Sequence, residues 1–395
     1  MIRTVRKKRL GIFILGGILT FILLGIFLQS KKQEQKPSSP KEKFTEEETQ
    51  AIIESAALEE EYPYDMVDTA NDAPEKPEIE LSAWIAYWDF NKSIEVYKQN
   101  SNSIASLSPT WYFVQSDGSL GLKNTARNSQ LTNLRDQYDL KIIPSISNSN
   151  ADEFSAILND PNLLNNHIQA IAGEVEQYGY DGIDIDYENL KRTDKDQFSA
   201  FIRQLAEELH KNDRILTIAI LWKNDLNGLI DVFSESRAAQ DWEEIGKHVD
   251  EFRIMAYDYT HSYNSQGPIA PQDWIRSILE YAIKNVDRDK IVLGLPLYAY
   301  EWIGESSSAK ALVWDDVNYR ILNFESQIIK NELHPEHFEK QLIYKDGDTE
   351  KIVWYQDSKV TQKRIELAQT FGINKFVFWR MGGEDPDTYT TNSNL

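Results

Sequence analysis

The chain has 395 residues, enough for one large domain plus an appendage. Its formal net charge of −21 speaks against nucleic acid as a partner, because phosphate binding needs clustered Lys and Arg. The absence of Cys excludes a disulfide framework and thiolate catalysis.

The N-terminus is set apart by its charge. Arg3, Arg6, Lys7, Lys8 and Arg9 precede an uncharged run from Leu10 to Gln29. Such a run, about 20 residues or roughly 30 Å as a helix, is long enough to span a bilayer. The basic flank would stay in the cytoplasm and leave the rest outside. No small-residue cleavage site closes the run at Ile26-Phe27-Leu28-Gln29-Ser30, so an uncleaved anchor is expected over residues 1–30. The expected location is the cell membrane, single-pass, with the bulk of the chain at the bacterial cell surface. Residues 31–79 read as an extracellular stalk. Lys31 to Lys43 is rich in Lys, Gln, Pro and Ser, a composition that buries little. Thr45 and Glu48 have capping-box spacing, and Ala51, Ile52 and Ala56 follow, which predicts a short helix over about 46–60.

From about residue 80, apolar runs alternate with helical periodicity. The predicted strands are Ser82 to Trp88, a second within Ile104 to Val114, then Lys141 to Ser147. A fourth follows Asp181, a fifth runs from Arg214 to Leu221, and a sixth from Phe252 to Tyr257. Ile291 to Leu297 and Lys375 to Arg380 are the seventh and eighth. The clearest helix is Asp196 to Leu209, where Phe198, Phe201, Ile202, Leu205 and Leu209 recur at helical spacing. Eight strands alternating with helices predict an α/β fold, a closed (β/α)8 TIM barrel over residues 80–395. An open doubly wound sheet is the alternative, but no glycine-rich phosphate loop follows a strand. Residues from about 303 to 356 are too many for a plain loop. Leu342 to Tyr344 and Ile352 to Tyr355 flank Asp346-Gly347, a hairpin signal, so a small α+β insertion is expected between strands seven and eight.

The fourth strand carries the chemistry. In Asp181 to Glu188, written DGIDIDYE, Asp184, Asp186 and Glu188 alternate with Ile183, Ile185 and Tyr187. Alternation sends successive side chains to opposite faces, so one face holds three acids about 6–7 Å apart. Crowding like charges raises the pKa of at least one of them, and a carboxyl that keeps its proton serves as a general acid. Such chemistry belongs at the C-terminal ends of barrel strands, where Glu188 falls. A solvated polar face and a divalent-metal site are the alternatives. Elsewhere motifs are thin. His334 and His337 could ligate a metal, but Pro335 lies between them and no third ligand is apparent, so both read as surface residues.

Asp181, Asp184, Asp186 and Glu188 reproduce the D-x-x-D-x-D-x-E signature, and the chain so resembles glycoside hydrolase family 18, the chitinase-like enzymes. Met255-Ala256-Tyr257-Asp258 looks like the family's sixth-strand M-x-Y-D. Trp379 matches the tryptophan flooring the sugar subsite, and Tyr87 the tyrosine ending strand one. Gly294-Leu295-Pro296-Leu297-Tyr298 with Trp302 is similar to the seventh-strand pattern, with Ala299 in place of the usual glycine. Ser145-Ile146-Ser147-Asn148 departs from the common S-x-G-G of classical chitinases. With WRMGGED from Trp379 to Asp385, it resembles the spore-germination-type branch, whose members act on peptidoglycan.

The resemblance implies a retaining, substrate-assisted reaction on β-1,4-linked N-acetylglucosamine polymers. It implies Glu188 as proton donor, Asp186 and Tyr257 as partners of the 2-acetamido group, and Asp184 as the residue tuning Asp186. Asp258, Trp379, Tyr87, Trp302 and Met255 are the implied sugar-binding residues. Asp181 has the opposite parity and is expected to be structural. No cofactor and no catalytic metal are expected, and the protein is expected to be a monomer. A catalytically silent carbohydrate-binding barrel is the competing reading.

Overall fold

The structure, a computed structural model, describes residues 79–225 and 234–389. The expected membrane anchor and the stalk with its short helix lie outside the described residues. Among the described residues, no helix is long and apolar enough to cross a membrane.

Eight parallel strands close into a ring. Strand one is Glu80–Ile85 and strand two Ser106–Val114. Strand three is split into Lys141–Ile142 and Ser145–Ser147. Strand four is Gly182–Asp186, strand five Ile215–Leu221 and strand six Glu251–Met255. Strands seven and eight are Ile291–Pro296 and Lys375–Trp379. Strand one pairs with both strand two and strand eight, so the sheet has no edge at that seam. The gap in strand three falls at Ile143-Pro144, and proline has no N–H to give the ladder.

Local chemistry explains the helices between the strands. The helix Pro161–Tyr178 starts where the Asp160 side chain accepts from the backbone N–H groups of Asn162 and Leu163, and it ends at Gly179 with φ 60°. The predicted helix after strand four is found as Lys195–His210. It buries Phe198, Phe201, Ile202, Leu205 and Leu209 completely or nearly so. Each such side chain contributes about 1.5–3 kcal/mol on leaving water. Ile183 and Ile185 of strand four point to this layer and are fully buried. The acids between them therefore face the barrel axis. A Cβ on Gly182 would sit 2.1 Å from the Ile215 carbonyl oxygen, so only glycine lets strand five approach here.

The insertion is a five-stranded antiparallel sheet, in the order Ala309–Leu312, Ala299–Ile303, Thr349–Tyr355, Lys340–Asp346, Ile328–Leu333. It carries the helix Trp314–Asn323 and has its own core around Leu342, Tyr344 and Val353. The hairpin at Gly347 is present, with Asp346 paired to Thr349 and Gly347 at φ 62°. The insertion begins at Ala299, earlier than the predicted boundary near 303, because the chain turns from strand seven straight into the second sheet. Its root is anchored by a buried ion pair. Glu339 accepts from the Arg364 guanidinium at 2.9 Å and from the backbone N–H groups of Ile269 and Ala270 at 2.8 and 2.9 Å.

Candidate active site

Strand registers place Ser145, Asp184 and Thr217 side by side inside the barrel. Four donors converge on the Asp184 carboxylate. Trp84 Nε1 and Ser145 Oγ reach Oδ2 at 2.9 and 2.6 Å. Thr217 Oγ1 reaches Oδ1 at 2.6 Å, and Arg253 Nη1 lies 3.5 Å from the same oxygen. Asp184 and Arg253 are both fully buried. Donors from four other strands thus fix this carboxylate, which has no capacity left for a ligand. Asp181, on the opposite face, accepts from the Ile142 backbone N–H at 2.7 Å, the structural role its parity predicted.

Asp186, one layer up, is treated differently. Its Oδ1 is sealed from solvent and has no hydrogen-bond partner. Burial, followed by the charges of Glu188 and Asp184, pushes its pKa well above the ordinary range. Glu188 lies two residues beyond the end of strand four, exposed at the barrel mouth. The surrounding walls still thin the water around its carboxyl, and that loss of solvation, then the charge of Asp258, raises its pKa. The sequence pointed to the neighbouring acids of the ladder as the cause; the structure puts desolvation first and Asp258 second. With both pKa values raised, Asp186 and Glu188 hold a proton more readily than isolated carboxylates do. Tyr257 is buried beside them, and burial and the Asp186 charge push its pKa well above 10, so its hydroxyl remains a donor.

Over the strand ends runs a groove of about 460 Å³, whose walls include Trp88, Asp258, Tyr298, Tyr300, Trp379 and Arg380. Trp379 is half-buried and packs edge-on against Trp84 and Trp88, with ring centroids 6.1 and 6.4 Å apart. Asp258 follows strand six at φ 58°, and accepts hydrogen bonds from the hydroxyls of Tyr298 and Tyr300. His261 Nδ1 lies 3.6 Å from its other oxygen. A larger hollow, about 530 Å³, lies at the opposite end of the barrel, lined by Glu80, Asn102 and Tyr138.

The remaining predicted sugar-binding residues divide. Tyr87 opens a short 3-10 turn after strand one, half-buried, with its ring against the exposed Trp88 and under Lys123. Strand one was predicted to run to Trp88; it ends at Ile85, and the turn is what carries Trp88 to the groove. Met255 is nearly buried in the layer beneath Tyr257 and packs there with Trp84, Tyr257 and Trp379. Trp302 is a correction. It is fully buried, packs against Tyr300, and its Nε1 donates to the Asn264 carbonyl at 2.8 Å, so it presents no face to a sugar. It supports Tyr300, which does line the groove.

Sequence reasoning missed Trp84, Arg253, Tyr300 and Trp88, and it met Tyr298 only as part of the seventh-strand pattern, without a role. For Arg253 a signal existed, since it shares the parity of Met255 and Tyr257 and is a cation within an apolar strand. For the others nothing short of the folded register shows the contact.

A family model of the glycosyl hydrolases of family 18 matches residues 82–384. The chain belongs to that family. Among its relatives is YdhD of Bacillus subtilis (strain 168), provisionally named a sporulation-specific glycosylase. It is 28% identical over 249 residues, which is 60% of this chain and 57% of YdhD. The cortical fragment-lytic enzyme of the same strain is 24% identical over 280 residues, 66% of this chain and 62% of the enzyme. The chain therefore spans about six tenths of the length of these relatives. Among solved structures, the spore cortex-lytic enzyme SleL of Bacillus cereus superposes with a TM-score of 0.72 at 21% identity, covering 82% of this chain and 75% of SleL. A chitinase from Chromobacterium violaceum ATCC 12472 gives 0.72 at 19% identity, covering 80% and 98%. These likenesses establish the barrel fold.

Proposed function

We propose that the chain is a retaining glycoside hydrolase that cleaves β-1,4-linked N-acetylglucosamine-containing polysaccharide at the cell surface, peptidoglycan being the leading substrate. The observation that carries this reading is the contrast on strand four. Asp184 is saturated with donors, whereas Asp186 Oδ1 is buried without one, next to a protonated Tyr257. A buried bare carboxylate oxygen is costly, and an amide N–H from a ligand satisfies it.

The reaction then follows from the residues. Glu188 gives its proton to the glycosidic oxygen as the bond to the anomeric carbon breaks. The 2-acetamido carbonyl oxygen attacks that carbon from the other face and forms an oxazolinium ion. Asp186 accepts the acetamido N–H, and Tyr257 donates to the acetamido oxygen. Water, deprotonated by Glu188, reopens the ring with net retention. Trp379 floors the sugar, and Asp258, held by Tyr298 and Tyr300, grips it. Support for peptidoglycan comes from relatives named for sporulation and cortical fragment lysis. The run from Leu10 to Gln29 supports anchoring in the membrane with the barrel outside.

Glu188→Gln tests the assignment. It should lower turnover of peptidoglycan, chitin or poly-N-acetylglucosamine at least about 10²–10⁴-fold, the range for lost general acid catalysis, while oligosaccharide binding persists. Equal turnover by variant and parent, read from released reducing ends, refutes it.

A further inference from the structure

The turn from His334 to Glu339 holds a second cluster, remote from the acidic motif in sequence. It joins the insertion strands Ile328–Leu333 and Lys340–Asp346. The ligating atoms of His334, Glu336 and His337 lie within 4.8 Å of one another. Folding thus supplies the third ligand that the spacing of the two histidines did not reveal. The two imidazoles are stacked, with centroids 4.6 Å apart and planes 12° apart. Neither the Glu336 carboxylate nor a ring nitrogen of His337 has a hydrogen-bond or ion-pair partner among the described residues. His334 Nδ1 has only a long contact, 3.4 Å, from the Glu336 backbone N–H.

The turn is rigidly held. The His334 backbone N–H donates to the Glu339 carbonyl at 2.8 Å, and that of Phe338 donates to the His334 carbonyl at 2.9 Å. Gln272 N–H donates to the His337 carbonyl at 3.1 Å, which ties the turn to the barrel. Both imidazoles lie against Trp354, whose Nε1 donates to Gln266 at 2.7 Å. Gln266 is in the loop after strand six that also carries Asp258.

We propose that His334, Glu336 and His337 form a binding site for one divalent transition-metal ion, zinc by preference, which fixes the turn joining these two insertion strands. Two imidazoles and a carboxylate suit zinc better than calcium or magnesium, which take oxygen ligands. Ligand atoms on a tetrahedral zinc lie about 3.3–3.5 Å apart, so a small rotation of the exposed Glu336 and the half-buried imidazoles closes the site. A water completes the fourth position. The role is structural, since no residue of the acidic motif belongs to the cluster.

The test is calorimetric titration of the whole chain, stripped with chelator and dialysed, with zinc chloride. One equivalent should bind with a micromolar or lower Kd, and Tm should rise. Cobalt should give the visible absorption of a nitrogen- and oxygen-ligated ion. His337→Ala, and the milder His337→Gln, should each weaken binding at least a hundredfold while circular dichroism stays unchanged. Magnesium and calcium should bind at least a hundredfold more weakly than zinc. Absence of saturable zinc binding, or equal binding by the His334→Ala/His337→Ala double variant, overturns the proposal.

Discussion

Asp186 and Glu339 are acids drawn out of water in two regions of the molecule, and they are handled in opposite ways. Glu339, at the root of the insertion, meets Arg364 and two backbone N–H groups. Asp186, on strand four, keeps a buried oxygen with no donor and two acidic neighbours. A matched buried charge holds structure, whereas an unmatched one is a cost that the fold tolerates where a ligand will supply the donor. The two positions should therefore respond oppositely to substitution.

Asp186→Asn should act on activity rather than on stability. Turnover should fall by about 10²–10³-fold, the scale of losing one preorganised partner of the developing charge. Stability should stay within about 1 kcal/mol of the parent or rise, because the costly group is gone. Denaturant unfolding beside a reducing-end assay measures both. A large loss of stability would show that Asp186 is a structural acid like Glu339, and the contrast would fail. Glu339→Gln should do the reverse. It strands the Arg364 guanidinium in the interior and should lower stability by about 3–5 kcal/mol, with activity per folded molecule little changed.

The barrel and the acid ladder were readable before folding, and the contrast between the two acids was not, for physical reasons. The eight strands and the acid ladder follow from local periodicity, which a sequence carries openly. The saturation of Asp184 does not, because Trp84, Ser145, Thr217 and Arg253 come from four different strands and meet only through register. The pairing of Glu339 with Arg364 links an insertion to a later helix, and no spacing rule announces it. Trp302 misled because it shares a strand face with Tyr300 but lies two residues further along, where the loop carrying Asn264 covers it; of the two, Tyr300 lines the groove.

A third titratable group sharpens the comparison at smaller scale. His167 is fully buried behind Tyr187 of the motif. Its Nδ1 faces the Gly118 carbonyl at 2.8 Å, so that nitrogen carries the proton, and Nε2 accepts from the Tyr187 hydroxyl at 2.7 Å. Burial lowers its pKa to about 4, against about 6.5 in an unfolded chain. Between those values the unfolded state binds the extra proton, so stability should fall as pH drops from about 6.5 to 4, by about 3 kcal/mol in all. His167→Gln should flatten that slope in unfolding curves taken across the window. A slope unaltered by the substitution would place its origin elsewhere.

The smallest expected effect concerns the proton on Glu188. The charge of Asp258 helps raise the Glu188 pKa. A general acid works below its pKa, so the alkaline limb of the rate profile should lie above the ordinary glutamate range. Asp258→Asn removes the repelling charge and makes Glu188 easier to ionise, which should move that limb to lower pH. The asparagine still accepts from Tyr298 and Tyr300, so part of the grip on the sugar survives and rates can be followed. A limb that stays put, or moves to higher pH, would mean that loss of solvation alone keeps Glu188 protonated and that Asp258 serves binding only.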